Sequence, residues 1–215
     1  MKAYQIKITL QDTEPLVWRR FVVPAQVTFK RLHDTIQYAM NWLNYHLYDF
    51  RFPGEKLRVT NDEESYHEYW YHYEEHVKKG KPIPQDDPFD FVGSILETRI
   101  KLAENTKIDK YLEKYGQCEY VYDFGDNWRL TVELEKTLDD YTFVYPRLLG
   151  GEGNSPPEDV GGIYGFEEFK KAWYDPHHPE HEDMRIWGEG QEYSEFDKES
   201  INNSFQRYLK LKRPK

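Results

Sequence analysis

YVYDFGDNWRLTVELE, residues 120–135, alternates apolar and polar side chains on both sides of a short Gly125-Asp126-Asn127 corner. Tyr120, Tyr122 and Phe124 precede the corner, and Trp128, Leu130, Val132 and Leu134 follow it. A period of two on each arm predicts a β-hairpin with one buried face, placed in the middle of a sheet over which the other elements are laid. The tip gathers Asp123, Asp126 and Asn127. Asp, Asn and Gly form turns for backbone reasons alone, yet short polar side chains grouped on a rigid tip also make a candidate site.

Toward the amino terminus, Tyr4, Ile6, Ile8 and Leu10 alternate with Gln5, Lys7 and Thr9, which predicts a half-buried strand. Asp12-Thr13-Glu14-Pro15 turns the chain, and LVWRRFVV returns as a second strand before Pro24. Arg19 and Arg20 there suit a sheet edge, where cations discourage pairing with other chains; an anion site is the alternative. Thr28 is an N-cap, and Phe29, Leu32, Ile36, Ala39, Met40 and Leu43 follow at helical spacing until Asn44. YHLYDFRF, residues 45–52, then reads as a strand with His46, Tyr48, Phe50 and Phe52 on one side, so that His46 and Asp49 face opposite ways. Pro53-Gly54 turns, and EKLRVT returns.

DEESYHEYWYHYEEHVKK, residues 62–79, carries the clearest helical pattern: Tyr66, Tyr69, Trp70, Tyr73 and Val77 on one stripe, Glu64, Glu68, His72 and His76 on another. His72 and His76 have the spacing of a metal pair, but one straight helix needs a third ligand from elsewhere, and a solvated acidic face explains the stripe without metal. Residues 60–93 read as a helical and loop insertion ending in a Pro-rich loop over 81–88, and Ser94–Tyr115 as weakly helical. After Glu135 a linker of about ten residues leads to YPRLLGGEGNSPPEDVGG, where Pro and Gly argue against regular structure. There Glu158 and Asp159 stand side by side before Gly161-Gly162. Paired carboxylates on a stiff loop suit a divalent cation or acid–base chemistry, and equally a solvent-facing turn.

A helix is expected from Gly165, with Phe166, Phe169 and Trp173 inward. Another should begin at Pro179 and stop at Gly188. That arrangement accounts for His177, His178 and His181 without a metal, since a proline inside the triplet disrupts the geometry of a zinc helix. Asp197 caps a last helix with Ile201, Phe205, Tyr208 and Leu209 inward, and the basic tail 210–215 should fray.

The 215 residues are enough for one core, and a single domain over 1–215 is expected. Lys and Arg total 29 against 39 Asp and Glu, a formal charge of -10, which opposes nucleic acid and anionic membranes as partners. One cysteine, Cys118, cannot form an internal disulfide, the chain has no apolar run of membrane length, and MKAYQIKITLQD enters strand alternation directly; a reducing, cytoplasmic setting is expected. Aromatic residues reach 17%, so rings with hydroxyl or indole N–H groups must build much of the core, unless some form a stacking surface for planar ligands.

YQIKITL with PLVWRRFVVP, FKRLHDTIQYAMNWLNYHLYDF, YVYDFGDNWRLTVELE, and PPEDVGGIYGFEEFKKAW with HPEHEDM together resemble, in order, the plasmid pRiA4b ORF-3-like protein family. The resemblance implies an α+β fold, a curved and mostly antiparallel sheet with helices packed on it. Many members carry His where Arg129 stands here, and cysteines where Leu148 and Ser155 stand, so a metal or redox site built from those residues would be missing. Asp123, Asp126, Trp128, Glu158 and Asp159 match the family pattern, and with His46 they form the candidate polar site. Three functions follow: a non-enzymatic binding or regulatory module with a protein or small-molecule ligand, a metal-assisted hydrolase using the carboxylates of the two loops, and a DNA-associated protein, since some relatives have been labelled resolvases or repressors. The first rests on the lack of a nucleophile–base pair or phosphate loop. The second requires the two loops to meet in space and a divalent metal as cofactor.

Overall fold

The computed structural model describes residues 1–83 and 89–211. Eight strands form one open mixed sheet: β1 (Ala3–Leu10), β2 (Trp18–Pro24), β3 (Tyr48–Phe52), β4 (Leu57–Thr60), β5 (Arg99–Leu102), β6 (Gln117–Tyr122), β7 (Trp128–Leu138) and β8 (Arg147–Glu152). Their order is β5-β4-β3-β6-β7-β1-β2-β8, antiparallel except for the β4–β5 pair. The helices are α1 (Phe29–Met40), α2 (Glu63–His72), α3 (Phe91–Glu97), α4 (Asp109–Tyr115), α5 (Gly162–Tyr174), α6 (His181–Gly190) and α7 (Lys198–Tyr208), with a π-helical turn over Tyr73–Lys78. The α+β class is as expected, and no helix among the described residues is long and apolar enough to cross a membrane.

The β6–β7 hairpin lies at the centre of the sheet, with Tyr120 opposite Leu130 and Tyr122 opposite Trp128. Tyr120, Tyr122, Trp128, Leu130 and Val132 are all buried on one face, each contributing about 1.5–3 kcal/mol of apolar burial. β1 joins β7 in the same phase, Ile8 opposite Val132 and Leu10 opposite Leu130. The opposite face carries Lys7, Arg20, Arg129 and Glu135, which is why the strands alternate.

α1 starts as expected, the Thr28 hydroxyl accepting from the Arg31 N–H, but ends four residues before Asn44. Asn41 adopts left-handed backbone, φ 54° and ψ 37°, and the N–H groups of Asn41 and Trp42 close on the carbonyls of Tyr38 and Gln37. The chain from 41 to 47 is thereby released as a loop, so His46 lies outside β3 rather than on its face with Tyr48. Asp49 is engaged elsewhere, accepting from Arg58 at 2.7 Å and Arg51 at 3.0 Å.

Two strands occur where none was expected. β5 lies within the stretch read as weakly helical, and β8 within the Pro- and Gly-rich stretch. β8 needs Gly151, where a Cβ would stand 2.7 Å from Arg19 Cδ and 2.8 Å from the Trp18 carbonyl. At Leu148 the backbone N–H and C=O are met by the Asn202 side chain, which stands in for a further strand.

Arg19 is not an edge cation. β2 runs between β1 and β8, and the Arg19 guanidinium is buried against the carbonyls of Ala39, Trp18, Glu152 and Gly153 and the Ser155 hydroxyl at 2.8–3.0 Å, stacked 4.2 Å from the Phe196 ring centre. Burial without a carboxylate partner lowers its pKa to about 10. Arg20, on the wet face, pairs with both oxygens of Glu135 at 2.7 Å.

α2 packs at the β5 margin and buries only Tyr69 of the expected aromatic stripe, while Val77 is exposed. The π turn that follows widens the helix and carries Val77 out of phase with Tyr69. α5 begins three residues earlier than expected, with Phe166 and Phe169 buried and Trp173 half-buried. α6 begins at His181 and continues through Gly188 to Gly190. Gly188 does not stop the helix; it admits Trp173, whose Cζ3 a Cβ would approach to 2.6 Å. Asp197 caps α7 through the N–H groups of Glu199 and Ser200, and Ile201, Phe205 and Leu209 point inward. Tyr208 is exposed instead, stacked on Tyr38 at 5.5 Å. Of the expected loop and tail, residues 84–88 and 212–215 lie outside the described residues, and the Leu211 N–H donates to the Val144 carbonyl.

Candidate metal centre

Three segments meet beside the end of β6. The hairpin corner supplies Asp123, whose left-handed backbone (φ 54°) a short polar side chain tolerates, with Oδ1 accepting from the Gly125 N–H at 2.9 Å. The loop freed by the early end of α1 supplies His46. The strap after β8 supplies Glu158 and Asp159, and is tied down by the Trp42 indole N–H donating to the Pro156 carbonyl at 2.9 Å and by Arg19 at Gly153 and Ser155.

Glu158 is buried and held from three sides. Its Oε1 accepts from the Leu43 N–H at 2.6 Å, the Asn44 N–H at 3.3 Å and the Tyr122 hydroxyl at 2.8 Å. Tyr122 in turn accepts from the Tyr45 N–H at 3.0 Å and stacks on Trp42. Burial first, then the bond to Glu158 and its charge, push the Tyr122 hydroxyl far above its ordinary pKa, so it remains a donor.

His46 Nε2 lies 3.3 Å from Glu158 Oε2, 3.3 Å from Asp159 Oδ1 and 3.6 Å from Asp123 Oδ2. These distances are within ion-pair reach, yet none is aligned as a hydrogen bond, and Nε2 is shielded from water with no hydrogen-bond partner among the described residues. Ligand atoms of His46, Asp123 and Asp159 all fall within 4.8 Å of one another. The imidazole is 29% exposed and Asp159 is 61% exposed, so the cluster opens to solvent on the Asp159 side. Three carboxylates around one ring remain net negative even with the ring protonated. An imidazole nitrogen and carboxylate oxygens converging from separate segments are the donors a divalent cation takes.

Asp126 and Trp128 have other tasks. Asp126 Oδ2 accepts from the Gly161 N–H at 3.1 Å and joins the hairpin corner to the strap; Gly162, at φ 68°, lets the Asp126 carbonyl approach where a Cβ would stand 2.8 Å away. Trp128 is a buried wall between Trp42 and Phe166. His72 and His76 stack 5.7 Å apart on α2 and the π turn. His178 Nδ1 accepts from the Glu180 N–H and His181 Nδ1 faces the Ala172 carbonyl at 2.8 Å. Among the described residues none of these, nor His177, joins a group of three metal-capable side chains. Arg129 pairs with Glu119, Leu148 is in the core and Ser155 is engaged by Arg19.

Sequence reasoning passed over His33. It is buried, stacked face to face on Tyr48 at 3.6 Å, with Nε2 2.7 Å from Asn44 Oδ1 and Nδ1 2.7 Å from the Tyr120 hydroxyl. An amide oxygen can only accept, so Nε2 carries the proton and Nδ1 accepts from Tyr120. Desolvation lowers its pKa to about 3. Its position between Phe29, Leu32 and Ile36 on the apolar stripe of α1 was the available signal.

Comparison with known proteins agrees with this architecture. Residues 2–204 match the family model described as plasmid pRiA4b ORF-3-like protein. The uncharacterised protein y4hQ of Sinorhizobium fredii is 33% identical over 189 residues, covering 88% of this chain and 82% of that one. The crystal structure of a protein of unknown function, MM3350 from Methanosarcina mazei Go1, is similar at a TM-score of 0.67 and 28% identity over 92% of this chain and 96% of that chain.

Proposed function

The chain belongs to the plasmid pRiA4b ORF-3-like family, and on that footing we propose a binding module whose ligand is a divalent metal cation held by His46, Asp123 and Asp159. The observation that carries this reading is the His46 Nε2 lone among carboxylates from two other segments, shielded from water and without a hydrogen bond. A buried polar nitrogen without a partner is costly, and a cation between nitrogen and carboxylates removes that cost while offsetting their mutual repulsion. The mixed nitrogen and oxygen donors favour Mn²⁺, Fe²⁺ or Zn²⁺ over Ca²⁺, which prefers oxygen alone, and no thiolate is present to select a soft ion.

The test is calorimetric titration of chelator-stripped protein with Mn²⁺ and Zn²⁺. Saturable binding is expected, weakened by roughly a hundredfold or more in His46→Ala and Asp123→Asn. Binding that both variants retain would remove the reading.

A hydrolytic role has one supporting feature. Glu158 has Oε1 fixed by three donors and Oε2 turned to the cluster, the placement of a general base for water that a cation acidifies. Glu158→Gln keeps most of those contacts. It should abolish metal-dependent cleavage of a chromogenic phosphodiester while metal binding persists; no cleavage by the unmodified protein would leave binding alone.

A further inference from the structure

A cavity of about 150 Å³ opens where α1, the first residue of β3 and the ends of β4 and β5 come together, and no residue of the metal centre lines it. Tyr48 is one of its walls and is only 2% exposed. The hydrogen bonds of this residue are made by its backbone, the N–H donating to Asn61 Oδ1 at 2.9 Å and the carbonyl accepting from the Thr60 hydroxyl at 2.8 Å. The phenol hydroxyl has no partner among the described residues, a costly state for a buried polar group. Its ring is fixed nonetheless, because His33, bonded at both ring nitrogens, stacks on it at 3.6 Å.

The other walls divide by what they have left to offer. Asn44 Oδ1 faces His33 Nε2 and Asn61 Oδ1 takes the Tyr48 N–H, so each amide keeps its NH2 group as a donor. Glu63 and Glu104 line the cavity as well, and among the described residues neither is paired with a cation, Glu104 accepting only from the Asn105 amide. Lys30, the one cationic wall, is committed to both oxygens of Asp34 at 3.0 and 3.3 Å. Burial first, then the charges of Asp34 and Glu104, raise the Tyr48 pKa, so the hydroxyl stays a donor and has an acidic group as a near neighbour. An α-amino acid carries its carboxylate and ammonium on one carbon, the same close pairing in complement.

From these walls we infer that the cavity binds a small α-amino acid, of the size of alanine or serine. The carboxylate meets the Tyr48 hydroxyl and the amides of Asn44 and Asn61, the ammonium meets Glu63 and Glu104, and a short side chain lies against Leu102 and Ala103. A plain carboxylate brings no ammonium to offset the two acids, and a plain amine gives the donors no charged acceptor.

The probes are alanine, acetate and ethylamine, titrated calorimetrically into chelator-stripped protein, so that no cation at the His46 centre can hold the amino acid. Alanine should bind saturably, and acetate and ethylamine about tenfold or more weakly, each having lost one charged end. Tyr48→Phe and Glu104→Gln should each weaken alanine by about tenfold. The urea midpoint of ligand-free Tyr48→Phe should not fall, since the hydroxyl has no partner to lose. No binding of alanine would show a cavity filled by water alone and overturn the inference, as would acetate or ethylamine binding as tightly, undiminished binding in both variants, or a lowered midpoint in Tyr48→Phe, which would mark the hydroxyl as structural.

Discussion

Two histidines stand beside Tyr122, His33 with its ring centre 6.2 Å away and His46 at 5.8 Å, and their surroundings are opposite. Around His33 every ring nitrogen has a partner: Asn44 and Tyr120 saturate it, Gln37 donates to Tyr120, and the ring stacks on Tyr48. Around His46 the Nε2 nitrogen is shut away from water with three carboxylates at ion-pair distance and, among the described residues, no hydrogen-bond partner. In the first region both ring nitrogens are bonded inside an aromatic core, although Gln37 Oε1 beside them lacks a hydrogen-bond partner among the described residues, and such networks serve to specify the packing. The second is held by well-made contacts behind it, at Glu158 and Trp42, while its front is incomplete. His33 is buried and bonded at both ring nitrogens, whereas the His46 imidazole is 29% exposed and its Nε2 is unbonded; saturation of hydrogen bonds, together with burial, separates the two.

The strongest way to break this contrast is to truncate both rings. His33→Ala should cost about 3–5 kcal/mol, since it opens a core cavity and leaves the buried Tyr120 hydroxyl, which still accepts from Gln37, without an acceptor for its own proton. His46→Ala in metal-free protein should cost about 1 kcal/mol or less. Urea unfolding in chelator at neutral pH compares them, and equal costs would mean that His46 is as structural as His33.

Acid sharpens the contrast next. His33 is neutral in the folded protein with its pKa lowered to about 3, whereas the unfolded chain takes up a proton below about 6.5. Its contribution is therefore intact above pH 6.5 and declines as pH falls through the window toward 3, by up to about 1.4 kcal/mol per unit, or about 2 kcal/mol between pH 7 and 5. His33→Gln should flatten that limb of the urea-midpoint profile. A variant with the same acid slope would assign the loss to other groups.

The smallest effects should come from the histidines outside both regions. His76→Ala and His178→Ala should change stability by about 0.5 kcal/mol or less and leave metal affinity unaltered in the calorimetric titration. A large fall in affinity for either would move the metal centre to a helix surface.

How much of this was legible in the chain depends on how far apart the interacting residues lie. The β6–β7 hairpin, β1, β2 and the start of α1 were readable because period and capping are local, and Thr28 and Asp197 announce their helices through side chains that bond N–H groups within three residues. β5 and β8 were not: four residues of RIKL carry no period, and RLLGGE looks like a turn until Trp18 and Arg19 lie against its glycines. Arg19 was misplaced for the same reason, since β2 looks like an edge until β8 covers it. Asp123, Glu158, Asp159 and His46 were each nameable as polar residues on turns or strand ends, but Trp128 belonged to the core and Asp126 to the joint between loops.

Alternation and helical spacing, which depend on backbone geometry within a few residues, determined the central hairpin and most of the inward faces of α1, α5 and α7, while the α+β class was what the family resemblance implied. Only the tertiary structure brought Leu43 to Glu158, 115 positions along the chain, and with them His46 to three carboxylates. The meeting depends on where α1 stops, on Arg19 and Trp42 fastening the strap, and on strand order, and no local pattern encodes those distances.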